Sequence, residues 1–153
     1  MPMKIISILF NLLDQINPAQ AVYAHCDVPC GIYDPKPAQL AAETVEKMVE
    51  KILQLPSEGT GKEILEARNS FVRMVKVKEE HAEICKREVL ILWTDFFKEE
   101  NLKDFPNLHD LVWKTTKLCS KNKREVNPKT AKDLRESVDK IAVIFNKVKA
   151  ASK

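Results

Sequence analysis

The stretch HCDVPCGIYDP, residues 25–35, gathers His25, Cys26, Asp27, Cys30, Tyr33 and Asp34 around two prolines and a glycine. Cys26 and Cys30 have a tolerable spacing for zinc, but no second ligand pair repeats it, so a closed tetrahedral site lacks donors. A disulfide across the Val28-Pro29 turn is an open alternative. A third chemistry arises if the chain is cut after Ala24. The α-amine of His25, the backbone nitrogen of Cys26 and the Cys26 thiolate then form two fused five-membered chelate rings, and the Cys30 thiolate can close a square plane. Two nitrogens and two sulfurs in a plane suit Ni(II) or Cu(II). Anionic thiolate and deprotonated amide donors also lower the potential needed to reach Ni(III), and the His25 imidazole is placed to add as an axial ligand. Pro29 and Gly31 stiffen and turn the loop so that the two thiolates can converge.

The 24 residues ahead of this stretch contain an apolar run at 5–13 and small residues at Ala21 and Ala24, a loose likeness to a secretory signal. Asn11 and Asp14 interrupt or follow the run, while Ile5, Leu9, Leu12 and Ile16 share one helical face, which favours an amphipathic leader. The run is too short to span a bilayer, and no later segment reaches the ~20 apolar residues required. We therefore expect residues 1–24 to be a cleaved leader and 25–153 the working domain, with the reducing cytoplasm as its location and export as the minority alternative.

The elements that must position the reactive stretch read as four helices, at about 37–55, 62–98, 104–120 and 128–150. The first carries Ala41, Val45, Met48, Ile52 and Leu55 at steps of four and three. The second places Ile64, Ala67, Phe71, Met74, Val75, Ile84, Val89, Leu92 and Phe96 inward, with Lys78 and His81 falling where the stripe calls for apolar residues. The third uses Leu108, Leu111, Val112, Thr115 and Leu118. The fourth opens on Asn127-Pro128, a cap followed by proline at the first helical position, and carries Ala131, Leu134, Val138, Ile141, Phe145 and Val148. Short connectors between long amphipathic helices predict an all-α, up-down-up-down four-helix bundle with an N-terminal metal-binding hook.

Composition agrees: 44% apolar and 31% charged residues with three glycines in 153 suit one helical domain with its own core. A formal charge of +3, with both signs interleaved, is too weak to argue for nucleic acid. Cys85 and Cys119 read as small buried hydrophobes, His109 as a surface or capping residue, and Trp93 and Trp113 as core or interface anchors. Glu83, Lys86, Arg87 and Glu88 read as a solvated face. The chain has no glycine-rich phosphate loop, no His-Glu-x-x-His and none of the repeated Glu-x-x-His pairs of di-iron bundles.

HCDVPCGIYDP resembles the N-terminal hook of the nickel-containing superoxide dismutases, His-Cys-Asp-x-Pro-Cys-Gly-x-Tyr-Asp-Pro, at every fixed position. ILWTDFFK at 91–98 and FPNLHDLV at 105–112 are similar to further segments of that family, so the resemblance runs from residue 25 to about 150. It implies a homohexamer of four-helix subunits, one nickel per subunit, and the disproportionation 2 O₂⁻ + 2 H⁺ → O₂ + H₂O₂. The metal ligands it implies are His25 through amine and imidazole, Cys26 through backbone nitrogen and thiolate, and Cys30 through thiolate. Tyr33 would stand at the mouth of the site, Asp27 would brace the loop, and Arg73 and Glu83 would stand behind the ligands.

Two positions depart from the family: Ala41 stands where some members have a glutamate bonded to the axial imidazole, and His81 where they have an arginine. His81, Glu43, a backbone group or a neighbouring subunit is left to hold that ring. Lys36 and nearby lysines would form a basic rim for an anionic substrate. A leader-processing peptidase is the remaining implied partner, with no nucleic acid and no membrane for the processed chain. The competing reading is a non-enzymatic bundle with an N-terminal disulfide or metal-storage site.

Overall fold

A computed structural model of the chain describes residues 31–151. Three of the long helices begin where a side chain accepts from an N–H that the helix leaves without a partner. The Asp34 carboxylate accepts the backbone N–H of Lys36 at 2.8 Å, and helix α1, Lys36–Leu53, follows with Pro37 in its first turn. Helix α2, Gly61–Ile91, opens on a reciprocal capping box: Thr60 Oγ1 accepts from the Glu63 amide, and Glu63 Oε2 accepts from the Thr60 amide at 2.8 Å. A π-helical turn, Leu92–Phe96, continues it. Helix α3 is a single turn, Asn101–Asp104, and α4 spans Leu108–Arg124. Asn127 Oδ1 accepts from the Thr130 amide at 3.1 Å as α5, Pro128–Ala151, begins, the expected cap and proline in place.

The four long helices pack in a ring, α1 on α2, α2 on α4, α4 on α5 and α5 on α1. Their directions alternate. Gln39 reaches Asp139 at 2.7 Å while Glu46 reaches Arg135 at 2.5 Å, and Lys86 meets Ser120 at 3.3 Å while Trp93 meets His109. The up-down-up-down bundle is therefore observed. Its core repeats at threes and fours: Ala38, Ala42, Val45 and Val49 on α1, Ala82, Cys85 and Val89 on α2 with Leu92 beyond, Leu108, Val112, Thr115 and Cys119 on α4, and Leu134, Val138, Ile141 and Phe145 on α5. Burying a side chain such as Leu134 or Phe145 stabilises the fold by about 1.5–3 kcal/mol.

Several expectations change. The second helix does not run unbroken to residue 98, because its ladder widens at residues 92–96. The third does not span 104–120: α3 ends at Asp104 ahead of Pro106, and α4 starts at Leu108 and continues to Arg124. The first ends at Leu53, since Pro56 follows within three residues. Phe71 and Ile84 are exposed by 44% and 43%. Ile84 lies one step off the buried series 78, 82, 85, 89. Phe71 shares the phase of that series, but α4 ends beside Lys78, so the earlier turns of α2 outrun it and none of residues 61–77 is fully buried. Trp113 is exposed and carries Lys117 Nζ 5.4 Å from its ring centroid, so it anchors no core.

Lys78, the polar break in the stripe, is buried at 1% exposure, and its ammonium donates to the main-chain oxygens of Asn122 and Lys123, the latter at 3.1 Å. It caps the C-terminal turn of α4, where carbonyls have no intrahelical donor and the helix dipole favours a cation. Burial pushes the pKa of Lys78 down. Asn122, also buried, donates through Nδ2 to the oxygens of Leu118 and Thr130 at 3.0 Å each, tying the α4–α5 turn to the same cluster.

Candidate metal centre

His25, Cys26, Asp27 and Cys30 lie outside the described residues. The structure shows how the chain is held immediately after them. Gly31 has φ +70, and among the described residues no heavy atom lies within 4 Å of where a Cβ would stand, so backbone conformation is what favours glycine there. Tyr33 is half-buried, with its ring centroid 5.8 Å from that of Phe96. Phe96 packs 4.2 Å from Phe145, which is 1% exposed in the core. Lys149 Nζ donates to the Tyr33 carbonyl oxygen at 3.2 Å and lies 5.2 Å from the Phe145 ring centroid. Asp34 then turns the chain through its bond to Lys36, and Pro35 is buried.

The π-turn serves this arrangement. The Phe97 amide reaches back five residues to the Leu92 oxygen at 3.0 Å, and the extra residue in the turn lets the neighbours Phe96 and Phe97 both pack inward, their rings 5.1 Å apart. A regular 3–4 repeat would turn one of the two outward. Phe96, Phe145 and Lys149 were not legible as neighbours of Tyr33. The adjacent phenylalanines at 96 and 97, one more than the repeat accommodates, are the signal that could have pointed there.

The other expected residues are spread along α2 and α1. Arg73 is exposed and lines a small cleft with Met48, Lys51, Ser70, Met74 and Val77. At 1.5 Å per residue it lies roughly 34 Å along the helix from Phe96, and Glu83 roughly 20 Å. Glu83 pairs with Lys123 at 2.9 Å, and that hydrogen bond holds its carboxyl below the usual range. His81 is half-buried, with Nδ1 2.9 Å from the Val77 oxygen. A carbonyl can only accept, so Nδ1 carries the hydrogen and the neutral ring keeps its lone pair on Nε2. Ala41 is buried in the core. Glu43 and Lys36 line a cleft of about 640 Å³ between α1 and α5, with Gln39, Glu46, Arg135 and Asp139. Within one chain the structure brings none of Arg73, Glu83 or His81 to Tyr33 by any bond it shows.

Among the described residues no group of three or more His, Cys, Asp or Glu side chains is arranged to hold a metal ion. None of the described helices is long and apolar enough to cross a membrane. Cys85 and Cys119 are both fully buried, as expected of structural thiols, and contact with Cys119 followed by burial pushes the Cys85 thiol far above its ordinary range. His109 is exposed, as expected, with its ring 5.6 Å from that of half-buried Trp93.

A family model for the nickel-containing superoxide dismutases matches residues 20–149. The chain is 35% identical over 134 residues to the nickel superoxide dismutase of Streptomyces coelicolor, a match covering 88% of this chain and 95% of that protein. The enzyme of Streptomyces seoulensis is 34% identical over the same span with the same coverage. A native nickel superoxide dismutase structure superposes with a TM-score of 0.71 at 34% identity, covering 82% of this chain and 99% of the other. Another, with nickel ligation corresponding to the oxidized state, gives 0.72 at 32% identity with the same coverage.

Proposed function

The chain belongs to the nickel-containing superoxide dismutases, a family of nickel-dependent oxidoreductases, and on that premise we propose that residues 25–35 are its nickel hook. A peptidase removes residues 1–24, and nickel would be held by the freed amine and the imidazole of His25, the Cys26 amide nitrogen and the Cys26 and Cys30 thiolates. The residues fit the metal: two anionic sulfurs and two nitrogens are the donor set that tetragonal nickel favours. Bound nickel supplies a Ni(II)/Ni(III) couple, which these donors bring within reach of superoxide.

The single observation carrying this reading is the hook sequence itself, standing directly ahead of a segment that the fold clamps from both sides at Tyr33. Tyr33, its ring held on Phe96, presents a hydroxyl to superoxide or a water without ligating metal. Asp27 braces the loop, and the cation of Lys36 at the start of the fold favours an anionic substrate. Exposed apolar side chains on α2, Leu65, Phe71 and Val72, together with Trp113, are consistent with a homohexamer. In such an assembly a neighbouring copy can bring Arg73, Glu83 or His81 toward the axial ring. The cytoplasm, which keeps thiols reduced for loading, is the proposed location.

Intact-mass and metal analysis of protein from its native source tests this. The expected species begins at His25 with one nickel per chain, and Cys26→Ser and Cys30→Ser each abolish superoxide dismutation while helicity is kept. An active form that retains residues 1–24, or activity surviving either substitution, overturns it.

A further inference from the structure

We propose that Lys149 is a positioning residue for the nickel hook: its ammonium ties down the main chain at Tyr33, the third residue after Cys30 in sequence. The inference rests on the hook reading above, and it concerns what orients the hook rather than what binds the metal.

Lys149 sits on the last turns of α5, 116 positions from Tyr33 in sequence, and its ammonium makes two contacts of different kinds. It donates to the Tyr33 carbonyl at 3.2 Å, and it lies 5.2 Å from the centroid of Phe145. A cation over a ring face is attracted by the ring quadrupole. Phe145 is a buried core residue, so the lysine is referenced to the most rigid part of the fold.

Tyr33 is held from its other side as well, since its ring rests on Phe96 and Phe96 rests on Phe145. The carbonyl and the ring of Tyr33 therefore trace to the same phenylalanine, one through Lys149 and one through the π-turn. Upstream, Gly31 has a positive φ and no described atom within 4 Å of where a Cβ would stand, so among the described residues packing at Gly31 does not hold the chain. Two fixed points on Tyr33, followed by the Asp34 turn and buried Pro35, do. A main-chain carbonyl is a suitable handle because its direction is set by the backbone, whereas a tyrosine hydroxyl can move with its ring.

Lys149→Met keeps the unbranched stem and removes the donor, and Lys149→Arg restores one. A net hydrogen bond near 1 kcal/mol corresponds to about a five-fold change in an equilibrium constant. Lys149→Met should accordingly weaken nickel retention about five-fold in competition with a chelator. In the metal-free full chain it should speed hydrogen exchange at the amides of residues 32, 33, 34 and 36, with the helical circular dichroism unchanged. Lys149→Arg should recover both. Unchanged exchange overturns the proposal. So does faster exchange with unchanged nickel retention, since the tie would then not position the hook, and so does a salt-sensitive loss of rate alone, which would make Lys149 a steering charge. A wild-type chain beginning at His25 that binds no nickel refutes the hook reading instead, and the exchange measurement still decides whether Lys149 holds the segment.

Discussion

Replacing Lys78 by Met tests whether the polar break in α2 is a cap or a flaw. The substitution keeps a long unbranched stem in a site that is 1% exposed, and removes an ammonium that donates to the oxygens of Asn122 and Lys123. Two hydrogen bonds from a charged donor are together worth roughly 3–6 kcal/mol. Carrying the charge inside offsets part of that, as the lowered pKa records. We expect a net loss of about 2 kcal/mol at pH 7, which in a domain of this size lowers the melting temperature by roughly 8 °C. The pH dependence has a definite sign. With a folded pKa below the unfolded one, the penalty for the buried charge is full below the folded pKa and is relieved as pH rises toward the ordinary value of 10.5. The neutral amine still donates, so the wild-type advantage should widen between pH 7 and pH 10. Urea unfolding of both proteins at several pH values is the assay. A variant as stable as wild type, or a gap that narrows as pH rises, refutes the capping argument.

Two further outcomes follow from local geometry. In the metal-free native protein a thiol reagent should label Cys26 and Cys30 and spare Cys85 and Cys119, whose side chains are fully buried out of its reach; all four should react in denaturant, and fast native labelling of Cys85 or Cys119 would contradict the packing described. Gly31→Ala should cost about 1 kcal/mol in thermal unfolding, from the φ of +70 alone, and Gly31→Asn less. A loss several times larger would mean a steric clash, for which no described atom lies close enough.

How far the sequence could be followed depended on what each pattern encodes. Alternating threes and fours encode the phase of a helix, and the inward faces at Val45, Val89, Val112 and Leu134 are where that phase puts them. Phase says nothing about how long the neighbouring helix is, which is why Phe71 has the right phase and no partner on α4. It also assumes an even ladder, so a single wide turn at 92–96 escapes it. Lys78 showed only as a break in the stripe and Lys149 did not stand out at all, because residue type records the head group, while their contacts are with carbonyls 44, 45 and 116 positions away. The proposed hook stood out for the opposite reason: its donor residues are neighbours in the chain, so their spacing put metal chelation beside zinc and a disulfide as a reading, and the resemblance to the family chose among them.

The wide turn at the end of α2 sets a limit on how this chain can vary. Deleting one residue between Leu92 and Phe96 would let the helix close its ladder in the ordinary way, a local gain by every measure of helical regularity. Each position beyond the deletion would rotate by about 100° relative to the residues before it. Phe96 would swing away from Phe145, and Tyr33 would lose the ring it rests on. The irregularity thus works as a spacer whose length is counted in single residues. Substitution within it can be tolerated where the ring stack is kept, whereas insertion or deletion cannot.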